Sequence, residues 1–141
     1  IYFQHGIYQT SPTELSMYVD EHMKTPGTHI RRYTLRPDGF VSVNAGYAGG
    51  ELVTRPFSFD GEELELNYST SAVGTVRVEI QDDRGNAVPG FALDDCPEIF
   101  GDQIEGAIRW NDGGDVSRLA GMPVRLRFFL NDADLYAFRF R

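Results

Sequence analysis

Val124-Arg125-Leu126-Arg127-Phe128-Phe129-Leu130-Asn131-Asp132-Ala133-Asp134-Leu135-Tyr136-Ala137-Phe138-Arg139-Phe140 is the stretch that decides the fold. Val124, Leu126, Phe128 and Leu130 recur at every second residue, the period of a strand buried on one face. Asn131-Asp132 reads as a turn, after which Tyr136, Phe138 and Phe140 resume the same period. The pattern predicts two strands joined as a final hairpin.

The same alternation appears upstream. Leu64, Leu66 and Tyr68 alternate with Glu63, Glu65 and Asn67, and Val76, Val78 and Ile80 alternate with Arg77, Glu79 and Gln81. Shorter runs at 30–36, 40–45, 51–55 and 104–110 are separated by turn chemistry such as Pro37-Asp38-Gly39, Asp82-Asp83-Arg84-Gly85-Asn86 and Asn111-Asp112-Gly113-Gly114. About nine or ten strands at this spacing predict an all-β fold, an antiparallel β-sandwich or jelly roll. Strand–helix alternation is missing, which excludes a doubly wound α/β fold. Thr13 to Met23 opens like a helix capping box, but Met17, Tyr18 and Val19 suit a strand as well. The expected organisation is a leader over 1–27 and one sandwich domain over 28–141. Within the leader, Ile1-Tyr2-Phe3-Gln4 partly matches the remnant of a tobacco-etch-virus protease site and reads equally as native sequence.

Composition narrows the function. The 141 residues carry a net charge of −8, which argues against nucleic acid and anionic membrane surfaces as partners. One cysteine, Cys96, excludes an intrachain disulfide and a multi-cysteine zinc site. It sits among Asp94, Asp95 and Pro97, where neighbouring carboxylates disfavour the thiolate, so it reads as a small buried hydrophobe. The nucleophile-elbow, P-loop, dinucleotide and zinc-protease motifs are all missing. His5, His22 and His29 all precede the strand-rich body, which leaves no histidine there for a triad.

Two carboxylate readings remain. Glu63 and Glu65 stand about 7 Å apart on one strand face, a separation glycoside hydrolysis permits, with Glu79 as a further neighbour. A charged solvent face neutralised by Arg77, Arg125 and Arg127 explains the same pattern without catalysis. No catalytic residue is assigned. The alternative use of that face is sugar binding, through Glu65, Asn67, Arg77, Glu79, Arg125 and Arg127, if their strands lie side by side. Phe129 falls on the outward phase, either as a stacking platform or packed beneath a loop. Tyr47, flanked by Gly46, Gly49 and Gly50, is the better exposed ring, and Trp110 belongs to the edge of the core. Asp132 and Asp134 alternate about Ala133 and form the best candidate for one structural calcium. Ordinary turn bonding by Asp132 and an arginine partner such as Arg125 for Asp134 would explain them without metal.

The run Arg31-Arg32-Tyr33-Thr34-Leu35-Arg36-Pro37-Asp38-Gly39-Phe40-Val41-Ser42-Val43 resembles a stretch of bacterial proteins related to five-bladed β-propeller, family-32-like glycosyl hydrolases. Similar pieces are Gly49-Gly50-Glu51, Leu66-Asn67-Tyr68, Val76 to Asp82, Pro89-Gly90-Phe91 and Asp132-Ala133-Asp134-Leu135-Tyr136. The resemblance spans about residues 30–141, and Glu14 to Tyr18 looks like the last strand of the preceding propeller. It implies a C-terminal β-sandwich accessory domain similar to carbohydrate-binding modules. Its expected partners are a polysaccharide or oligosaccharide and an upstream catalytic domain, in a secreted or periplasmic parent protein. The alternatives are a purely structural sandwich packed on the propeller and a small stand-alone glycoside hydrolase.

Overall fold

A computed structural model describes residues 1–141. Its regular structure is nine strands, all paired antiparallel, and two single turns of 3-10 helix at Leu93–Asp95 and Ser117–Leu119. The all-β, antiparallel sandwich expectation holds. No helix is long and apolar enough to cross a membrane. The chain divides into two units, Ile1–Val41 and Ser42–Arg141, each with its own sheet.

Ser42–Arg141 is organised by two long strands, β7 (Leu64–Asp82) and β9 (Val124–Phe140). They pair from Leu64↔Phe140 to Asp82↔Val124. Strands β5 (Val43–Ala45) and β6 (Gly50–Val53) line the free edge of β9, and β8 (Asp102–Ala107) lines that of β7. The expected hairpin at Asn131-Asp132 is instead a corner within one strand. There Asp132 adopts a left-handed φ of 43°, and β7 shifts register between Thr70 and Thr75. Gly74 makes the corner possible, because a Cβ at that position would lie 2.2 Å from the Asp132 carbonyl oxygen.

Beyond the corner the sheet turns back on itself. Phe128 and Phe138 would be about 33 Å apart along a straight strand, yet their ring centroids are 5.6 Å apart. The two halves of the folded sheet thus face each other as the layers of the sandwich, and their polar faces look in opposite directions. Leu64, Leu66, Val76, Val78, Ile80, Leu126 and Phe128 fill the interior; full burial of such a side chain contributes about 1.5–3 kcal/mol. Phe59 stacks on Phe140 at 3.7 Å and covers one side of it. Trp110, expected at the core edge in a strand, lies past the end of β8 and is fully enclosed. Its Nε1 donates to the Val78 carbonyl at 2.9 Å, and its ring meets Phe91 edge-on at 5.0 Å. A buried indole N–H needs such an acceptor.

Ile1–Val41 is a single sheet. Strands β1 (Tyr2–Phe3) and β2 (Tyr8–Ser11) share one edge of β3 (Glu14–Glu21), and β4 (His29–Leu35) takes the other. The helix-like segment at Thr13 is therefore strand β3. The boundary at 27/28 moves as well: His29–Leu35, expected to open the sandwich, pairs with Leu15–Glu21. Val19 is the one buried apolar side chain of this unit. Next to it the buried Glu21 accepts a hydrogen bond from the Tyr33 hydroxyl and pairs with His29 at 3.1 Å and Arg31 at 3.2 Å.

Candidate functional site

Directly opposed residues of an antiparallel sheet share a face. With Val76, Val78, Ile80, Leu126, Phe128 and Leu130 turned inward, three rows point out from one half of the sandwich. They are Glu51–Phe129–Arg77, Val53–Arg127–Glu79 and Arg125–Gln81.

Arg127 ties the centre together. Its Nη2 and Nε donate to the two Glu51 carboxylate oxygens at 2.6 and 3.2 Å, and its Nη1 reaches Glu79 Oε1 at 3.4 Å. Glu79 also accepts from Gln81 Nε2 at 2.7 Å and from the Leu93 amide at 3.0 Å. Burial pushes the Glu79 carboxyl up, but the bonds from Gln81, Leu93 and Arg127 outweigh it and hold the group below its usual range. Both glutamates of the face are thus engaged by one arginine. Arg77 has no such partner: its guanidinium lies 5.5 Å from the centroid of Phe129, and its buried Nε has no hydrogen-bond acceptor. Arg125 gives two bonds to the Asp83 backbone carbonyl, at 3.1 and 3.3 Å, and none to a carboxylate.

The turn Gly46-Tyr47-Ala48-Gly49 borders this face. It is closed by the Gly49 amide on the Gly46 carbonyl at 2.9 Å, and Gly49 has φ 78°. Asn131 Nδ2 anchors it by donating to the Tyr47 carbonyl at 2.9 Å. Tyr47 is 77% exposed at its tip. A Cβ on Gly49 would come within 3.3 Å of the Phe129 ring, so Phe129 packs beneath the loop and Tyr47 is the open ring.

Five of the anticipated residues, Arg77, Glu79, Arg125, Arg127 and Phe129, therefore share one face, with Tyr47 at its border. Glu65 and Asn67 do not join them. They precede the corner, so they lie on the outward face of the opposite half, because the two runs of β7 are one bent strand and not two adjacent ones. Glu65 there takes Arg139 Nε at 2.6 Å and Arg141 Nη1 at 3.4 Å, and Arg139 also meets Glu105 at 2.8 Å. Glu63 is 3.7 Å from Arg109. Glu79 consequently does not neighbour Glu63 and Glu65. Sequence reasoning missed Glu51 and Gln81. Gln81 was visible in the alternation, whereas Glu51 sits in a four-residue strand whose pairing with β9 has no local signal.

The alternation assumed for Asp132 and Asp134 is broken by the left-handed φ of Asp132. Asp134 Oδ1 accepts from Ser42 Oγ at 2.6 Å and Asn44 Nδ2 at 3.1 Å, and Arg125 is not its partner. No group of three or more His, Cys, Asp or Glu side chains is arranged to hold a metal ion. Cys96 is buried, with its Sγ accepting from the Val78 amide at 3.3 Å; burial pushes its thiol up, which suits a packing role. No family model, curated protein or solved structure matches the chain.

Proposed function

We propose that Ser42–Arg141 is a non-catalytic carbohydrate-binding domain whose site is the Glu51–Phe129–Arg77 and Arg127–Glu79 face beside the Tyr47 loop. The observation that carries this reading is Arg77, 5.5 Å from the Phe129 ring centroid and with no acceptor for its buried Nε, on a face bordered by the exposed Tyr47. Sugar hydroxyls are bound by planar hydrogen-bonding groups, and a pyranose offers an apolar face to a flanking ring. Arg127 acts as a positioning residue that fixes Glu51 and Glu79. By the resemblance in its sequence, the domain accompanies a glycan-degrading enzyme in a secreted or periplasmic protein.

Affinity electrophoresis over a panel of soluble polysaccharides tests the reading. Retardation by at least one polymer is expected, weakened about ten- to a hundredfold by Arg77→Ala, with the melting temperature nearly unchanged. Arg127→Ala is the poorer probe, since it strips Glu51 and Glu79 of their partner. The chain releases no reducing sugar by itself; release abolished by Glu65→Gln would replace this reading with a hydrolase. A calcium ion at Asp132 and Asp134 is a separate part of the proposal, and identical melting curves with calcium and with EDTA remove it.

A further inference from the structure

The two outward faces of the sandwich differ in how their charges are balanced. On the Glu65 face, Arg139 and Arg141 meet Glu65, and Arg139 also meets Glu105, so each cation is set against a carboxylate. Among the strand residues of the Arg77 face, three guanidinium groups, Arg77, Arg125 and Arg127, stand against two carboxylates, Glu51 and Glu79. Both carboxylates are taken by Arg127. Arg77 and Arg125 are left with an aromatic ring and a backbone carbonyl. The chain as a whole carries −8, so a surplus of cations among these strand residues runs against the background.

We infer that the Arg77 face takes an anionic glycan, with Arg77 receiving a carboxylate or sulfate group of the sugar and Arg125, two rows away, offering a second cation. The inference rests on the reading of this face as a glycan site and names the class of glycan. A guanidinium presents paired N–H donors whose geometry matches a carboxylate or a sulfate, and charge-assisted bonds of this kind are stronger than those to hydroxyls. The Phe129 ring, with its centroid 5.5 Å from the Arg77 guanidinium, gives that group a cation–π contact that helps to order the donor before a ligand arrives. A neutral sugar would leave that charge unmatched. A uronate or a sulfated sugar supplies the missing anion, and the sheet's own glutamates, locked by Arg127, do not compete for it.

An array carrying neutral, uronate-bearing and sulfated glycans tests the inference, followed by titration calorimetry on the best-bound polymer. Binding confined to acidic glycans is expected, and the array itself separates uronate from sulfate. Arg77→Gln should weaken that binding about ten- to a hundredfold, Arg77→Lys should restore part of it, and Arg125→Gln should weaken it less. The polymer with its carboxylates esterified or its sulfates removed should bind the wild-type protein about ten- to a hundredfold more weakly than the unmodified polymer does, a comparison that needs no variant to fold. Binding to neutral glycans alone overturns this inference and leaves the proposed function standing. So does acidic binding that survives both Arg77→Gln and Arg125→Gln or neutralisation of the polymer. Binding to no glycan of any class overturns both.

Discussion

In Ser42–Arg141 a continuous apolar cluster runs from Ala45 to Leu135; in Ile1–Val41 the buried apolar side chain is Val19, while Tyr2, Phe3, Tyr8 and Ile30 remain exposed. Both regions are antiparallel sheets with alternating side chains. They differ because β7 and β9 are long enough to bend at the Gly74–Asp132 corner and bring a second layer over the first. One sheet thereby covers its own apolar face. The N-terminal sheet has no bend of this kind, and its buried positions include the polar side chains Ser16 and Glu21 as well as Val19. Backbone ladders alone do not offset the entropy of ordering a chain, so strand length and one permissive corner decide which unit has an interior.

The largest difference is expected when the two regions are separated. Ser42–Arg141 alone is expected to melt cooperatively by far-ultraviolet circular dichroism, and Ile1–Val41 alone to show no transition. A cooperative melt from Ile1–Val41 would show that this sheet has an interior of its own. Within the intact chain, Phe128→Ala should cost about 3–5 kcal/mol through lost burial and a residual cavity. Ile30→Ala, 64% exposed on the N-terminal sheet, should stay within about 0.5 kcal/mol; urea denaturation measures both. Gly74→Ala tests the corner. Its Cβ would collide with backbone oxygen at 2.2 Å, and such overpacking costs about 1–3 kcal/mol or more. An unperturbed urea midpoint would show that the corner does not depend on Gly74.

The smallest expected effect is on the acid side. Glu79 in the sandwich and Glu21 in the N-terminal sheet both ionise below the ordinary value of 4.5, Glu21 chiefly because the Tyr33 hydroxyl donates to it. A carboxyl lowered by folding contributes stability above its unfolded value and loses it as the pH falls through its folded one. Stability should therefore decline below about pH 4.5, and Glu79→Gln should flatten that acid limb in melts taken from pH 7 downward. An acid limb unchanged by Glu79→Gln would assign the decline to other carboxylates.

Much of the candidate face was legible because alternation alone fixes which residues of a strand turn outward. Arg77 and Glu79 follow from Val76, Val78 and Ile80, and Arg125, Arg127 and Phe129 follow from Leu126, Phe128 and Leu130. Alternation says nothing about which outward residues end up together. Glu65 and Asn67 share the phase of Glu79 on the same strand, yet the corner sends them to the opposite side of the sandwich. Asn131-Asp132 carries the chemistry of a hairpin turn, and a left-handed aspartate serves a bend within a strand equally well, so the local signal could not separate the two.

By itself, the sequence determined the strand chemistry, the apolar faces, the absence of known catalytic motifs and the acidic balance, since these depend on residue type and a two-residue period. Only the tertiary structure decided that two pairs of apparent strands are two bent ones, that His29–Leu35 belongs with the N-terminal sheet, and that Glu51 and Glu79 meet on Arg127 while Arg77 meets Phe129. Those outcomes rest on pairings between residues 48 and 76 positions apart, as in Glu79–Arg127 and Glu51–Arg127. Pairing at that distance is set by how the whole core closes and not by any local preference of the chain.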